Sequence, residues 1–151
     1  MLLRRYLPSD REEVWQLHRL ALESTDAYIG DSSLDDDLKE IEEVYLAQRG
    51  EFLVGLSGKR LVAMGALKEV TEDSAELKRM RVHPDYQRRG YGSEMLRQLE
   101  AKAKALGYKK LVLDTSSAQV AALHLYRTSG YTETGREGVR GLEVIFFEKS
   151  L

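Results

Sequence analysis

Val82-His83-Pro84, followed by Gln87-Arg88-Arg89-Gly90-Tyr91-Gly92-Ser93, is the stretch whose reading decides the fold. An alternating strand pattern ends at Pro84, and an amphipathic helix begins near Ser93. Between them, Gly90 and Gly92 let the backbone approach a ligand with no Cβ in the way. The first amides of a helix have no intrahelical acceptor and lie at the positive end of its dipole, so they attract an anion. Arg88 and Arg89 bring two guanidinium groups to the same turn. Amide donors, guanidinium donors and bare backbone together describe a loop for pyrophosphate.

Outward from this loop, strands and helices alternate. Met95, Leu96, Leu99, Ala103 and Leu106 form a helical stripe that Gly107 ends. Leu111 to Asp114 is a short buried strand, Ser116 to Ser129 a helix closed by Gly130, and Tyr131 to Thr134 and Leu142 to Lys149 an antiparallel hairpin. Upstream, Ala75 to Val82 is a strand whose period of two puts Leu77 and Arg79 on one face. Glu76, Met80 and Val82 fall on the other. Phe52 to Gly55 and Leu61 to Met64 flank a Ser57-Gly58-Lys59 turn. Leu2 to Leu7 is a first strand. Pro8-Ser9 then opens a helix in which Ser9 and Glu12 have capping-box spacing. Ser24 to Ser33 reads as a loop, and Leu34, Leu38, Ile41 and Tyr45 as a second helix ending near Gly50.

The 151 residues suit a single domain, 1–151, with one core. There is no cysteine, which excludes disulfides, thiolate metal sites and a cysteine nucleophile, so catalysis falls to oxygen and nitrogen groups. A net charge of -2 without a long basic run disfavours a nucleic-acid partner. The longest apolar runs are too short to cross a bilayer, and Met1 to Arg5 leads straight into charged sequence, unlike a secretory signal. The expectation is a soluble cytoplasmic protein. His18, His83 and His124 are scattered in sequence, so no metal site is expected.

This loop, the preceding Val82-His83-Pro84 and the later Leu123-His124-Leu125-Tyr126 and Gly130-Tyr131 resemble the GNAT superfamily of N-acetyltransferases over essentially the whole chain. A dinucleotide-binding turn would want a third glycine where Met95 stands. The resemblance implies an α/β (α+β) fold: a mixed, mostly antiparallel, seven-stranded sheet with about four helices. Its central strands, Ala75 to Val82 and Lys110 to Thr115, splay apart to admit acetyl-CoA. Met80, Arg81 and Val82 then meet the acetyl and pantetheine end through backbone groups. Gln87, Arg88, Arg89, Gly90, Tyr91, Gly92 and Ser93 hold the pyrophosphate.

By the same resemblance Glu76, fourteen residues before Gly90, matches a strand carboxylate used as general base, and Tyr126 a helix tyrosine used as general acid. A lysine-like amine, with a pKa of about 10.4, needs a base before it can attack a thioester, and the departing thiolate needs a proton. Gln119, seven residues before Tyr126, stands where many members have a cofactor-binding Asn, and its spacing from Ser116 equally suits a capping box. Outside catalysis, Glu76 would pair with Arg79 or Lys78, and Tyr126 would be a core aromatic.

The implied activity is acetyl transfer from acetyl-CoA to a primary amine by direct attack, the acceptor being a small molecule or a peptide. The rival is a non-catalytic acyl-CoA-binding or sensing domain; a polyphosphate or nucleotide binder is a third reading. Asp26, Asp31, Asp35, Asp36 and Asp37 are either a solvated helix start or a lure for a cationic amine. Ser24 to Ser33 and Gly135 to Gly141 are the expected acceptor walls. The final apolar strand, Val144 to Phe147, suits a homodimer edge as readily as a core.

Overall fold

A computed structural model describes residues 1–23, 32–139 and 141–151, without the side chains of Leu22, Ser32, Ser33 and Leu34. The Ser24 to Ser33 loop reading, with Asp26 and Asp31, lies outside them except for the backbone of Ser32 and Ser33. Seven strands, β1 (Leu2–Arg5), β2 (Glu51–Ser57), β3 (Arg60–Glu69), β4 (Ser74–Val82), β5 (Lys110–Ser116), β6 (Thr132–Val139) and β7 (Leu142–Ser150), form one sheet in the order β1-β2-β3-β4-β5-β7-β6. Every pairing is antiparallel except β4 with β5. The α-helices are α1 (Arg11–Glu23), α2 (Tyr91–Ala105) and α3 (Val120–Thr128). The expected mixed sheet with a splayed central pair is therefore what the chain forms.

Cores lie on both faces of this sheet. Leu67, Leu77, Met95, Leu99, Leu111, Leu123 and Phe147 belong to the core under α2 and α3. Val14, Leu17, Leu38, Ile41, Tyr45, Phe52, Val54 and Met64 belong to the core under α1 and its neighbours. Being covered on both sides, β3 reads as a continuous apolar run from Leu61 to Leu67.

Three expectations about elements need correction. The first helix is entered through a turn at Pro8–Asp10, where the Asp10 carboxylate accepts from the Leu7 amide at 2.8 Å and pairs with Arg4 at 2.7 Å. Asp10, not Glu12, does the capping, because Pro8 starts the turn one step earlier. The second helix is a 3-10 helix, Ser32–Lys39, followed by a wide π turn, Glu42–Leu46. It still buries Leu38, Ile41 and Tyr45. Finally, β7 lies between β5 and β6, burying Ile145 and Phe147, so it offers no edge. The edge strand at this end of the sheet is β6, almost wholly exposed and polar, and it takes up most of the stretch read as a Gly135 to Gly141 loop, of which residue 140 is not described.

Candidate active site

The site begins with a register break. Met64 lies opposite Arg81 and Ala66 opposite Lys78, so Arg79 and Met80 together face Gly65 alone. Such a two-against-one bulge turns the following side chains over. Arg79 takes φ of 60°, a left-handed conformation costly to a side chain. A Cβ on Gly65 would lie 2.8 Å from the Met80 sulfur and 2.8 Å from Leu99, so this glycine makes the room Met80 needs beneath α2. Residues directly opposite each other share a face. Leu77 and Val82 oppose Leu67 and Ala63, and with Met80 they face the α2 core. Lys78 and Arg81 oppose Ala66 and Met64 and face α1, as does Glu76 by alternation. The simple period of two, which grouped Glu76 with Met80 and Val82 and Leu77 with Arg79, fails at this bulge.

β5 pairs with β4 only at Ser74, Ala75 and Glu76. From Leu77 to Val82 the side of β4 turned away from β3 has no neighbouring strand among the described residues, and that is the splay. At the far end of this gap, the chain passes through Arg88 (φ 63°) and Gly90 (φ 80°) into α2, with no side-chain cap on the helix. The amides of Tyr91, Gly92 and Ser93 thus keep their donors for a ligand. Gln87, Arg88 and Arg89 are exposed, and Arg89 lies 4.8 Å above the Tyr86 ring. A Cβ on Gly90 would meet no protein atom, so its need for glycine is the positive φ and the ligand side. Gly92 instead packs on α3, its missing Cβ lying 3.3 Å from Leu125.

Tyr126 stands on α3. It is 5% exposed and packs edge-on against Tyr131 and at a tilt on Phe147, with ring centres 5.7 and 6.2 Å away. It is both a core aromatic and a phenol whose hydroxyl has no hydrogen-bond partner among the described residues. Burial pushes its pKa up to about 12, against the lowering charge of Arg81. Glu76 likewise has no hydrogen bond or ion pair among the described residues. Burial raises its carboxyl, Lys78 opposes this, and Asp114 on β5 adds to it. Gln119 stands at the N-cap of α3, but its side chain makes no cap. Ser116 Oγ accepts from the Ala118 amide at 3.0 Å, so the expected capping box does not form.

The acidic set is the largest surprise. Arg79 donates Nε to Asp37 at 2.9 Å and Nη1 to Asp35 at 3.2 Å, and Tyr45 donates its hydroxyl to Asp37. His18 Nε2 lies 2.9 Å from Asp35. Asp35 is 5% exposed, whereas Asp36 stays in water. Asp35 and Asp37 are therefore neither a solvated helix start nor free to draw in a cation. Burial alone would raise Asp37, yet the Arg79 guanidinium holds it below the usual range. Missed from sequence were His18, Tyr45 and the Arg79 pairing. The available signal was three cations, Lys78, Arg79 and Arg81, on a central strand that had to bury them.

His18 is fully buried, and burial, with the charge of Arg81, lowers its pKa to about 4. A base depressed on folding stays neutral while the unfolded chain takes up protons. Stability should therefore fall as pH drops from about 6.5 toward about 4. Urea unfolding across that window should show the loss, and His18→Gln should flatten the slope.

Among the described residues no helix is long and apolar enough to cross a membrane, and no group of three or more ligating side chains is placed to hold a metal. The family model for acetyltransferases of the GNAT family matches residues 11–131. Human N-acetyltransferase 8 is 30% identical over 112 residues, 70% of this chain and 49% of that protein, so the chain spans about half the relative's length. A GNAT-family acetyltransferase from Staphylococcus aureus Mu50 superposes with a TM-score of 0.90 at 20% identity, covering 99% of this chain and 98% of that one. PaiA N-acetyltransferase from Thermoplasma acidophilum, solved with coenzyme A, superposes at 0.78 with 18% identity, again over 99% and 98%.

Open sheet, parted β4 and β5, and an uncapped glycine turn define a cleft of the acetyltransferase class. The chain belongs to the GNAT acetyltransferase family.

Proposed function

We propose that this chain moves acetyl from acetyl-CoA to a primary amine by direct attack, with no acyl-enzyme. The observation that carries this is one strand, β4, that loses its partner after Glu76 and leads into the uncapped start of α2. A pantetheine arm can pair along that open edge at Met80, Arg81 and Val82. Its pyrophosphate then falls to the loop from Gln87 to Ser93, with Gln119 near the start of α3 as a further contact.

Glu76 takes a proton from the acceptor ammonium, directly or through water, and passes it to solvent. The freed nitrogen bonds to the thioester carbon, and the backbone amide of Met80 would stabilise the oxyanion, an effect worth about 3 kcal/mol per donor. The C–S bond then breaks, the nitrogen passes its extra proton to Glu76 or water, and sulfur leaves against the Tyr126 hydroxyl, taking from it a proton that solvent restores. A phenol near 12 facing a thiol of about 8.5 gives its proton uphill by about 5 kcal/mol. Its help is thus chiefly a hydrogen bond to sulfur as charge develops.

Coenzyme A thiol release across a panel of amines tests the reading, with intersecting initial-velocity lines expected. A trapped acetyl-protein would overturn direct attack. Tight acetyl-CoA binding with no release from any amine would leave a sensing domain. Gly90→Ala should cost about 1 kcal/mol of stability through its positive φ. It should weaken acetyl-CoA roughly tenfold by calorimetry, because the new methyl meets only the ligand side.

A further inference from the structure

Three cations sit close together on β4, and they are treated differently. Arg79 takes both Asp35 and Asp37. Arg81 takes no carboxylate among the described residues. A guanidinium is always charged and carries five N–H groups, yet the hydrogen bond Arg81 makes is from Nη1 to the Met80 carbonyl at 2.9 Å. Its Nε is buried without a partner among the described residues, and so is Nδ1 of His18. Water would satisfy such atoms, but it would bring no negative charge.

Position says what would. Arg81 opposes Met64 and so lies on the same α1 face of β4 as Glu76, beyond the point where β5 departs. Its charge is felt both by His18 on α1 and by Tyr126 on α3. An amine offered to Glu76 on this face would extend toward Arg81. A carboxylate supplies two oxygens to a guanidinium fork, and the bond to the Met80 carbonyl already holds that fork in place.

We propose that the side chain of Arg81 binds a carboxylate carried by the acceptor, so that the acceptor class is an amine bearing a carboxylate, of the amino-acid type. This rests on the transferase reading and adds a side-chain role to the strand position given there only a backbone one.

The test compares the common amino acids, β-alanine and 4-aminobutyrate with their carboxamides. Coenzyme A release is followed in the wild type, Arg81→Met and Arg81→Lys. The expected result is a ten- to hundredfold preference in kcat/KM for the acid over its amide in the wild type. That ratio should fall at least tenfold in Arg81→Met and be partly kept in Arg81→Lys, which retains a charge but not the fork. Equal use of acids and amides, or a ratio unchanged by Arg81→Met, overturns the proposal.

Calorimetric titration of the coenzyme A-loaded protein with the N-acetyl derivatives of the same acids and amides separates the two claims. Acid-selective binding that Arg81→Met abolishes, with no turnover of any amine, would keep the carboxylate site and remove the transferase reading. Selectivity in neither assay overturns the site. Removing an unpaired buried charge should hold or raise the Tm of the empty protein. A fall of several degrees in Arg81→Met would make Arg81 structural and overturn the proposal.

Discussion

Tyr126→Phe should lower kcat roughly a hundredfold, the low end for a general acid, and leave acetyl-CoA affinity nearly unchanged. The ring fills a space bounded by Tyr131 and Phe147, and phenylalanine keeps that volume, so the fold should survive. What goes is a hydroxyl with no partner among the described residues, the group free to face sulfur. Stopped-flow thiol release with a saturating amine reads the effect directly, and an unchanged kcat would remove Tyr126 from the acid role. The base has its own signature. Burial raises the Glu76 carboxyl, so kcat/KM should rise with pH through a limb lying above the ordinary carboxylate range. Glu76→Gln should abolish that limb, and its persistence would hand the base role to another group.

Arg79→Met should destabilise the protein by about 3–5 kcal/mol, a Tm fall of roughly 10 °C for a domain of this size. The guanidinium balances two carboxylates, Asp35 buried and Asp37 half-buried, and its loss leaves two like charges close together with Tyr45 and His18 as their side-chain partners among the described residues. Urea unfolding checks the size. Adding Asp35→Asn and Asp37→Asn to Arg79→Met should recover much of the loss, since the penalty lies in the orphaned charges and not in the missing side chain. The contrast with Arg81→Met is sharp: neighbouring arginines on one strand, one paired and one not, should move Tm in opposite directions or not at all alike.

The turn at Gln87 to Ser93 and the uncapped helix start after it were legible because their ingredients are local. Two glycines, two arginines and a helix start are adjacent in sequence, and the physics of an unpaired amide does not depend on what lies across the sheet. The stripe of α2 was legible for the same reason, whereas the helix read from Ser116 begins only at Val120 because Ser116 still belongs to β5. The acidic run misled because its partner, Arg79, is 42 residues from Asp37, and composition alone makes three aspartates in a row look like solvent-facing charge. The capping of the first helix misled by one turn, since Pro8 and Asp10 satisfy the chain before Ser9 and Glu12 can. The last strand looked like a candidate edge because nothing in its apolar run says which strands will flank it. The order β5-β7-β6 makes it interior.

By itself the sequence determined the element order and the glycine turn, and its resemblance to the family singled out Glu76 and Tyr126 as candidates for proton transfer. Only the tertiary structure decided which face each β4 residue shows. A bulge is one extra residue against a partner strand, and Gly65 supplies the space for it from a different part of the chain. That single break sends Met80 and Val82 under α2, leaves Glu76 and Arg81 on the opposite face, and makes Arg79 available to the acidic helix, because side-chain direction in a sheet is fixed by pairing and not by the strand alone.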